Sequence, residues 1–458
     1  MDIVVLSGSP KGDQSVTMQY VAFLAKAFPA HRFSIVNIAQ NIRQLENDRD
    51  AFTAVVDQIR GADAVLWAFP LYYLLVHGNY KRFIELVAER GAQSAFRGKY
   101  TAALSTSIRF FDHTAHNYIN AVADDWGMHY VGRYSAKMYD LLNPAERDRL
   151  RAFAADFLAA AAERRPTARA YGPLVPVAGR YTPGPAAAPT ALGGKKALIV
   201  SDAAPGDHSL AAMVARCAAA LGGAETVNLR DLDIKGGCLG CCRCAYDNTC
   251  VYAGQDGFVA FYDAKVKTAD IVVYAGAIRD RYLSARWKTY FDRTFYNNHI
   301  PTLHGKQLAF LVSGPLAQHA NLRQIIEAYA ETQGAGLTGL VSDEGDAPQT
   351  DALIDSLAAT MAEKAARGYL PPPTFFSTAG RKLFRDEVWG HMRFPFVADH
   401  RYYRANGLYD FPHNNWATRL KSTLMYWLAH IPAVRKQIYG PQMAAHMIAP
   451  LKKLVANL

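Results

Sequence analysis

Apolar and polar positions along this chain follow two rhythms. Short runs such as Ile3–Ser7 and Ala64–Phe69 are apolar nearly throughout, and they read as strands buried on both faces. Between them lie amphipathic stretches of roughly 10–20 residues, the spacing of helices with one buried face. Strand, turn and helix in steady alternation predict an α/β fold, a parallel sheet wrapped by helices on both sides.

The pattern occurs twice. Ile3–Ser7 leads through Ser-Gly-Ser-Pro-Lys-Gly-Asp-Gln-Ser into a helix near Ser15. Ala197–Ser201 leads through Ser-Asp-Ala-Ala-Pro-Gly-Asp-His-Ser into a helix near Ser209, at a constant offset of 194. Ala62-Asp63, Lys81 and Gly98-Lys99 reappear as Ala269-Asp270, Lys288 and Gly305-Lys306 at an offset of 207. The second copy therefore gains 13 residues between these blocks, where most of the cysteines lie. Duplication of one fold is the economical reading. It divides the chain into residues 1–170, a Pro/Gly/Ala linker over 171–194, a second copy over 195–370, and a basic, aromatic, mainly helical extension over 371–458.

Charge sharpens the picture at the C-terminus. Of the formal +10, the segment Pro371–Leu458 carries +8, from 12 Lys plus Arg against 4 Asp plus Glu. Such a balance suits anionic cofactors, nucleotides, nucleic acid or a membrane surface. No recognised nucleic-acid motif accompanies it, which argues against DNA or RNA. Asp399-His400-Arg401-Tyr402-Tyr403-Arg404 and Tyr409–Pro412 could cover a cofactor, grip a partner or pack between domains. Trp427–Val434 would suit a membrane surface. No apolar run has the length of a transmembrane segment and the N-terminus lacks a secretory pattern, so a cytoplasmic protein is expected.

The first strand-to-helix loop offers phosphate chemistry. Ser9, Lys11, Ser15 and Thr17 stand where helix N–H groups lack partners and the dipole is positive. The alternative is a plain N-cap at Ser15 beside a solvated Lys11. Two further loops should converge on the same edge of the sheet, Phe69-Pro70-Leu71-Tyr72-Tyr73 and Ser105-Thr106-Ser107. The aromatics could flank a flat ring or simply fill the core. Arg109 and His113 could meet a nucleotide, or serve as a cap and a solvated face. No side-chain nucleophile or general acid stands out, so no catalytic residue is assigned.

The Gly-Ser-Pro-Lys…Ser-x-Thr loop, the Ala-Asp…Pro-Leu-Tyr-Tyr loop and Lys81 together resemble the NADPH-dependent FMN reductase and flavodoxin-like oxidoreductase family. The resemblance implies two tandem flavodoxin-like sheets. It also implies FMN phosphate on Ser9, Lys11, Ser15 and Thr17, ring contacts from Pro70, Leu71, Tyr72 and Tyr73, and ring-edge contacts from Thr106 and Ser107. NAD(P)H would be the co-substrate, with a small-molecule acceptor or a redox partner protein beyond it, and a homodimer is open by analogy. In the second copy Ala203 stands for Ser9, Pro205 for Lys11, and Ala275-Gly276-Ala277-Ile278 for the aromatic loop, so a second flavin is less expected.

Cys238-x2-Cys241-x2-Cys244-x5-Cys250 places four thiols on one loop, with Gly236, Gly237 and Gly240 to let it bend. This spacing resembles the iron–sulfur flavoproteins and implies a 4Fe–4S cluster on Cys238, Cys241, Cys244 and Cys250. Zinc, a dithiol pair and inert buried thiols are the rival readings. Cys242 is an unmatched fifth thiol, and Cys217 reads as core. The expected function is an FMN-dependent oxidoreductase moving electrons from a reduced nicotinamide nucleotide or protein donor. A non-catalytic electron carrier or redox sensor and an assembly scaffold are the alternatives.

Overall fold

The structure is a computed structural model and describes residues 1–439 and 443–458. The first half runs β1 (Asp2–Ser7), α1 (Val16–Ala27), β2 (Arg32–Asn37), α2 (Ile42–Asn47), α3 (Arg49–Gly61), β3 (Ala64–Pro70), α4 (Gly78–Glu89), β4 (Tyr100–Ser107), α5 (Asp112–Asp125), β5 (His129–Lys137) and α6 (Pro144–Glu163). The second half runs β6 (Ala197–Ser201), α7 (His208–Ala220), β7 (Glu225–Asn228), α8 (Phe258–Phe261), β8 (Ile271–Ala277), α9 (Ala285–Arg293), β9 (Gln307–Ser313), α10 (Ala320–Thr332), β10 (Gly336–Ser342) and α11 (Ala347–Arg367). Each half forms a five-stranded parallel sheet with the order β2-β1-β3-β4-β5 or β7-β6-β8-β9-β10. This is the flavodoxin-like arrangement, with the strand order reversing between β1 and β3.

The strands explain their own burial. In β1, Ile3 and Val5 face an outer core with Leu24 and Leu158, while Val4 and Leu6 face an inner core. That inner core is shared. Trp67, Phe83 and Tyr118 of the first half belong to the same apolar cluster as Tyr274, Trp287 and Tyr329 of the second.

Between the halves, α4 and α9 approach so closely that a Cβ on Gly78 would lie 2.8 Å from Thr289 Oγ1. Each helix caps the other: the Gly78 amide donates to Asp292 (2.7 Å), and the Ala285 amide donates to Glu85 (2.7 Å). Both acids are also paired within their own helices, Glu85 with Lys81 at 3.0 Å and Asp292 with Lys288. Lys81 and Lys288 occupy matching positions in the two halves and are fully buried. Lys81 sits one turn inside its helix rather than at the opening, and it also pairs with Asp280 (2.9 Å), which accepts the Tyr118 hydroxyl.

Residues 164–196 form neither helix nor strand but are anchored. Tyr181 is buried and donates to Asp351 on α11, and Arg216 donates to the carbonyl oxygens of Gly184 and Pro185. The compact body does not end at the Pro-Pro-Pro step. It extends from Met1 to Asp399, with a second unit over His400–Leu458. Within the first unit, α12 (Phe375–Trp389) packs on α10 and on Phe110, which Gly380 admits at 2.7 Å from its would-be Cβ. The C-terminal region is helical, adding α13 (Val397–Ala405), α14 (Trp416–Leu428), α15 (Pro432–Ile438) and α16 (Met443–Ala456). Among the described residues no helix is long and apolar enough to cross a membrane.

Candidate functional site

The carboxyl edge of the first sheet gathers three loops. The first turns tightly after β1: Gly8 donates to Ala68 O at 2.8 Å, and a Cβ there would lie 2.7 Å from Phe69 Cβ. Gly12 has φ +54° and backs onto Gln40, so only glycine fits. Ser9, Ser15 and Thr17 are all buried, whereas Lys11 is exposed. Ser15 is the N-cap of α1, its hydroxyl accepting from Met18 N at 3.1 Å. The Ser9 hydroxyl accepts from Lys11 N at 3.2 Å. Both hydroxyl protons stay available to an acceptor, as do the first-turn N–H groups of Val16 and Thr17, which have no acceptor within the helix.

The third loop is tied to the first. Thr17 and Thr106 share a hydrogen bond between hydroxyls at 2.6 Å, and Thr106 O accepts from Leu71 N of the second loop at 3.1 Å. Ser107 accepts from Arg109 N at 2.7 Å, while Arg109 pairs with Asp140. Behind them Ser105 bonds His116 Nε2 at 2.8 Å, and burial lowers the imidazole pKa to about 4. His113 bonds Gln324 on α10 instead of facing the site (3.1 Å).

The second loop divides its aromatics. Tyr72 and Leu75 close a two-residue turn whose central residues, Tyr73 and Leu74, both have positive φ. Pro70 and Leu71 are half-buried at the strand end. Tyr73 turns into the second half, with ring centroids 6.2 Å from Phe295 and 6.5 Å from Tyr329, and burial raises its phenol pKa. Tyr72 stays at the sheet edge, 4.8 Å from His77 between ring centroids.

The cysteine-bearing loop of the second half roofs this edge. A Cβ on Gly240 would lie 2.3 Å from Tyr72 Oη and 3.0 Å from Lys11 Cε; one on Gly237 would meet Asn79 Oδ1 at 2.9 Å. His77 joins roof to floor. Its Nδ1 accepts from Asn79 N (3.1 Å) as the cap of α4, which puts the proton on Nε2, and Nε2 donates to Cys238 O (2.8 Å). Burial lowers the His77 pKa, so the neutral ring performs both tasks. His77 and Asn79 were missed by sequence reasoning, which read Gly240 as a bend in the cysteine loop and not as a contact of Tyr72. The only local signal of that missed pair was His-Gly-Asn at a helix start.

The four cysteines do not assemble a metal site. The Cys244 thiol donates towards Phe295 O at 3.7 Å, Cys238 Sγ accepts from Gly240 N at 3.5 Å, and Cys241 is exposed. Burial pushes the Cys238 and Cys244 thiols up to about 12. Among the described residues no three Cys, His, Asp or Glu side chains are placed to hold a metal ion. As placed, these side chains form no ligand group for a 4Fe–4S cluster. Cys217 is buried core.

The matching edge of the second sheet is unlike the first. Asp202 stands at the position of Gly8, fully buried and bonded to Ser284, and burial raises its pKa. Asp207 pairs with Arg279 beside it. A buried acid, with Ala203 and Pro205 in place of the hydroxyl and the lysine, opposes a phosphate.

A flavodoxin-like sheet with a hydroxyl-lined helix N-terminus at its switch point defines the class of site. The family model for NADPH-dependent FMN reductases matches residues 1–139. Comparison with curated proteins returns no match. Among solved structures, the flavoenzyme NAD(P)H:acceptor oxidoreductase FerB from Paracoccus denitrificans is 19% identical, covering 35% of this chain and 97% of its own, at TM-score 0.31. An NADH:FMN oxidoreductase is also 19% identical, with 34% and 89% covered and TM-score 0.30. The general stress protein 14 from Treponema denticola, in complex with FMN, is 16% identical, with 35% and 98% covered and TM-score 0.27.

Proposed function

We propose that the chain is an FMN-dependent oxidoreductase that takes electrons from a reduced nicotinamide nucleotide and holds one flavin, on its first sheet. The observation that carries this is the convergence of Ser9, Ser15 and the Thr17–Thr106 pair on the N-terminus of α1, beside Lys11. The residues fit the phosphate of FMN: two first-turn amides, two hydroxyl protons and one ammonium face a single edge, and the Gly12 cradle excludes a side chain. The family match over residues 1–139 supports the same reading.

Bound FMN would supply the hydride and electron chemistry; the protein supplies position and shielding. Lys11 and the α1 dipole offset the phosphate charge. The Thr17–Thr106 bond fixes the first loop against the third, and Leu71 N on Thr106 O fixes the second. His77 holds the Gly236–Gly240 roof down through Cys238 O, keeping water from Tyr72 and the strand ends. We read the chain as two duplicated domains, 1–170 and 195–370, the second having exchanged phosphate binding for the role of a cover.

The test is calorimetric titration of the full chain with FMN, followed by NADPH oxidation with the flavin present. One FMN per chain is expected, with Lys11→Ala weakening it about tenfold or more, as befits a charge-assisted contact. Absence of heat from the folded chain refutes the reading.

A further inference from the structure

We infer that the second unit, His400–Leu458, is an interfacial anchor that lays its helices on an anionic lipid surface. Along α14, Trp416, Leu420, Leu424 and Trp427 fall within an arc of about 80° on the helix. All four are exposed, Leu420 by 74%, and no residue of α14 is buried. Along α16 the same spacing recurs in Met443, Met447, Leu451 and Leu454, and Leu451 is 61% exposed. Two helices of this unit thus present apolar stripes to water, which a soluble surface seldom tolerates at this extent.

The charge names the occupant. After Asp410 the sequence contains six Lys and Arg and no acidic residue. On the α14 wheel Arg419 and Lys421 flank the apolar arc on either side, and on α16 Lys452 and Lys453 both stand on the polar side, away from the arc. A second copy docked on this face would set like charges against each other, whereas anionic headgroups complement them. Trp416 and Trp427 within the α14 stripe, and Tyr426 and Tyr439 outside it, are exposed, and amphipathic rings of this kind settle at the headgroup level. With no described helix able to cross a membrane, the geometry is that of helices lying in the interface.

Flotation of the purified full chain with vesicles tests this. The chain should float with phosphatidylcholine vesicles containing about a third phosphatidylglycerol, and not with phosphatidylcholine alone. Each basic residue near such a surface is worth about fivefold in affinity, so Arg419→Ala with Lys421→Ala should weaken binding roughly twentyfold. Leu420→Glu with Trp427→Glu should abolish flotation while the circular dichroism and the FMN titration stay as in the parent, which separates this result from failure of the flavin reading. The inference is overturned if the chain floats with neither vesicle or equally with both. It is also overturned if the face instead drives a concentration-dependent dimer that Leu420→Glu with Trp427→Glu dissolves.

Discussion

Acid should loosen the first sheet through one imidazole. His116 is 1% exposed, bonded to Ser105 through Nε2, and its Nδ1 is buried without a hydrogen-bond partner. Burial holds its pKa at about 4 in the folded chain, against about 6.5 when unfolded. A folded pKa depressed in this way contributes stability that is present above pH 6.5 and lost as pH falls through 4, because the unfolded chain takes up the proton first. Linkage over that interval gives a loss of about 2 kcal/mol between pH 7 and pH 5. The assay is urea denaturation at the two pH values, followed by tryptophan fluorescence, on the parent and on His116→Gln. The variant should lose about 2 kcal/mol less than the parent over this interval, the depressed imidazoles of His77 and His319 keeping their own share, while the new amide keeps a bond to Ser105. Should parent and variant lose equal stability on acidification, or should the His116 imidazole titrate near 6.5 by NMR, the reasoning fails.

Two further outcomes are expected. Lys81→Met leaves Asp280 without its cation and Glu85 with Arg82 alone (3.3 Å), and should cost about 3 kcal/mol in denaturant titration. Gly240→Ala should lift the roof, because φ is +62° there and the new methyl meets Tyr72 Oη; limited proteolysis should cut the 236–250 loop about five- to thirtyfold faster, as expected for a strain of about 1–2 kcal/mol.

The sheets were legible because each central strand is an unbroken apolar run and each following loop carries its own turn chemistry. Gly12 and the Ser15 cap are local features, so the tight turn into α1 could be read from neighbours in sequence. Tyr73 could not. Its direction is fixed by a turn with positive φ at two bulky residues, held by Phe295 and Tyr329 from more than 200 residues away. The cysteine spacing signalled a cluster, yet the thiols follow the demands of packing: Cys244 turns to Phe295, and Cys238 offers His77 its carbonyl instead of its sulfur. Lys81 read as a helix start because a lone lysine in a periodic stretch usually faces water. Its burial depends on Asp280, in the other half of the chain. The segment 371–399 read as tail because nothing local announces that Gly380 is a seat for Phe110.

The exchange of caps between α4 and α9 makes the two halves inseparable as products. Excising either at the connector would strip Gly78 or Ala285 of its acceptor and bare an aromatic face that water has never touched. A protease that nicked residues 164–196 should therefore release nothing: the fragments would elute together, and only denaturant would part them.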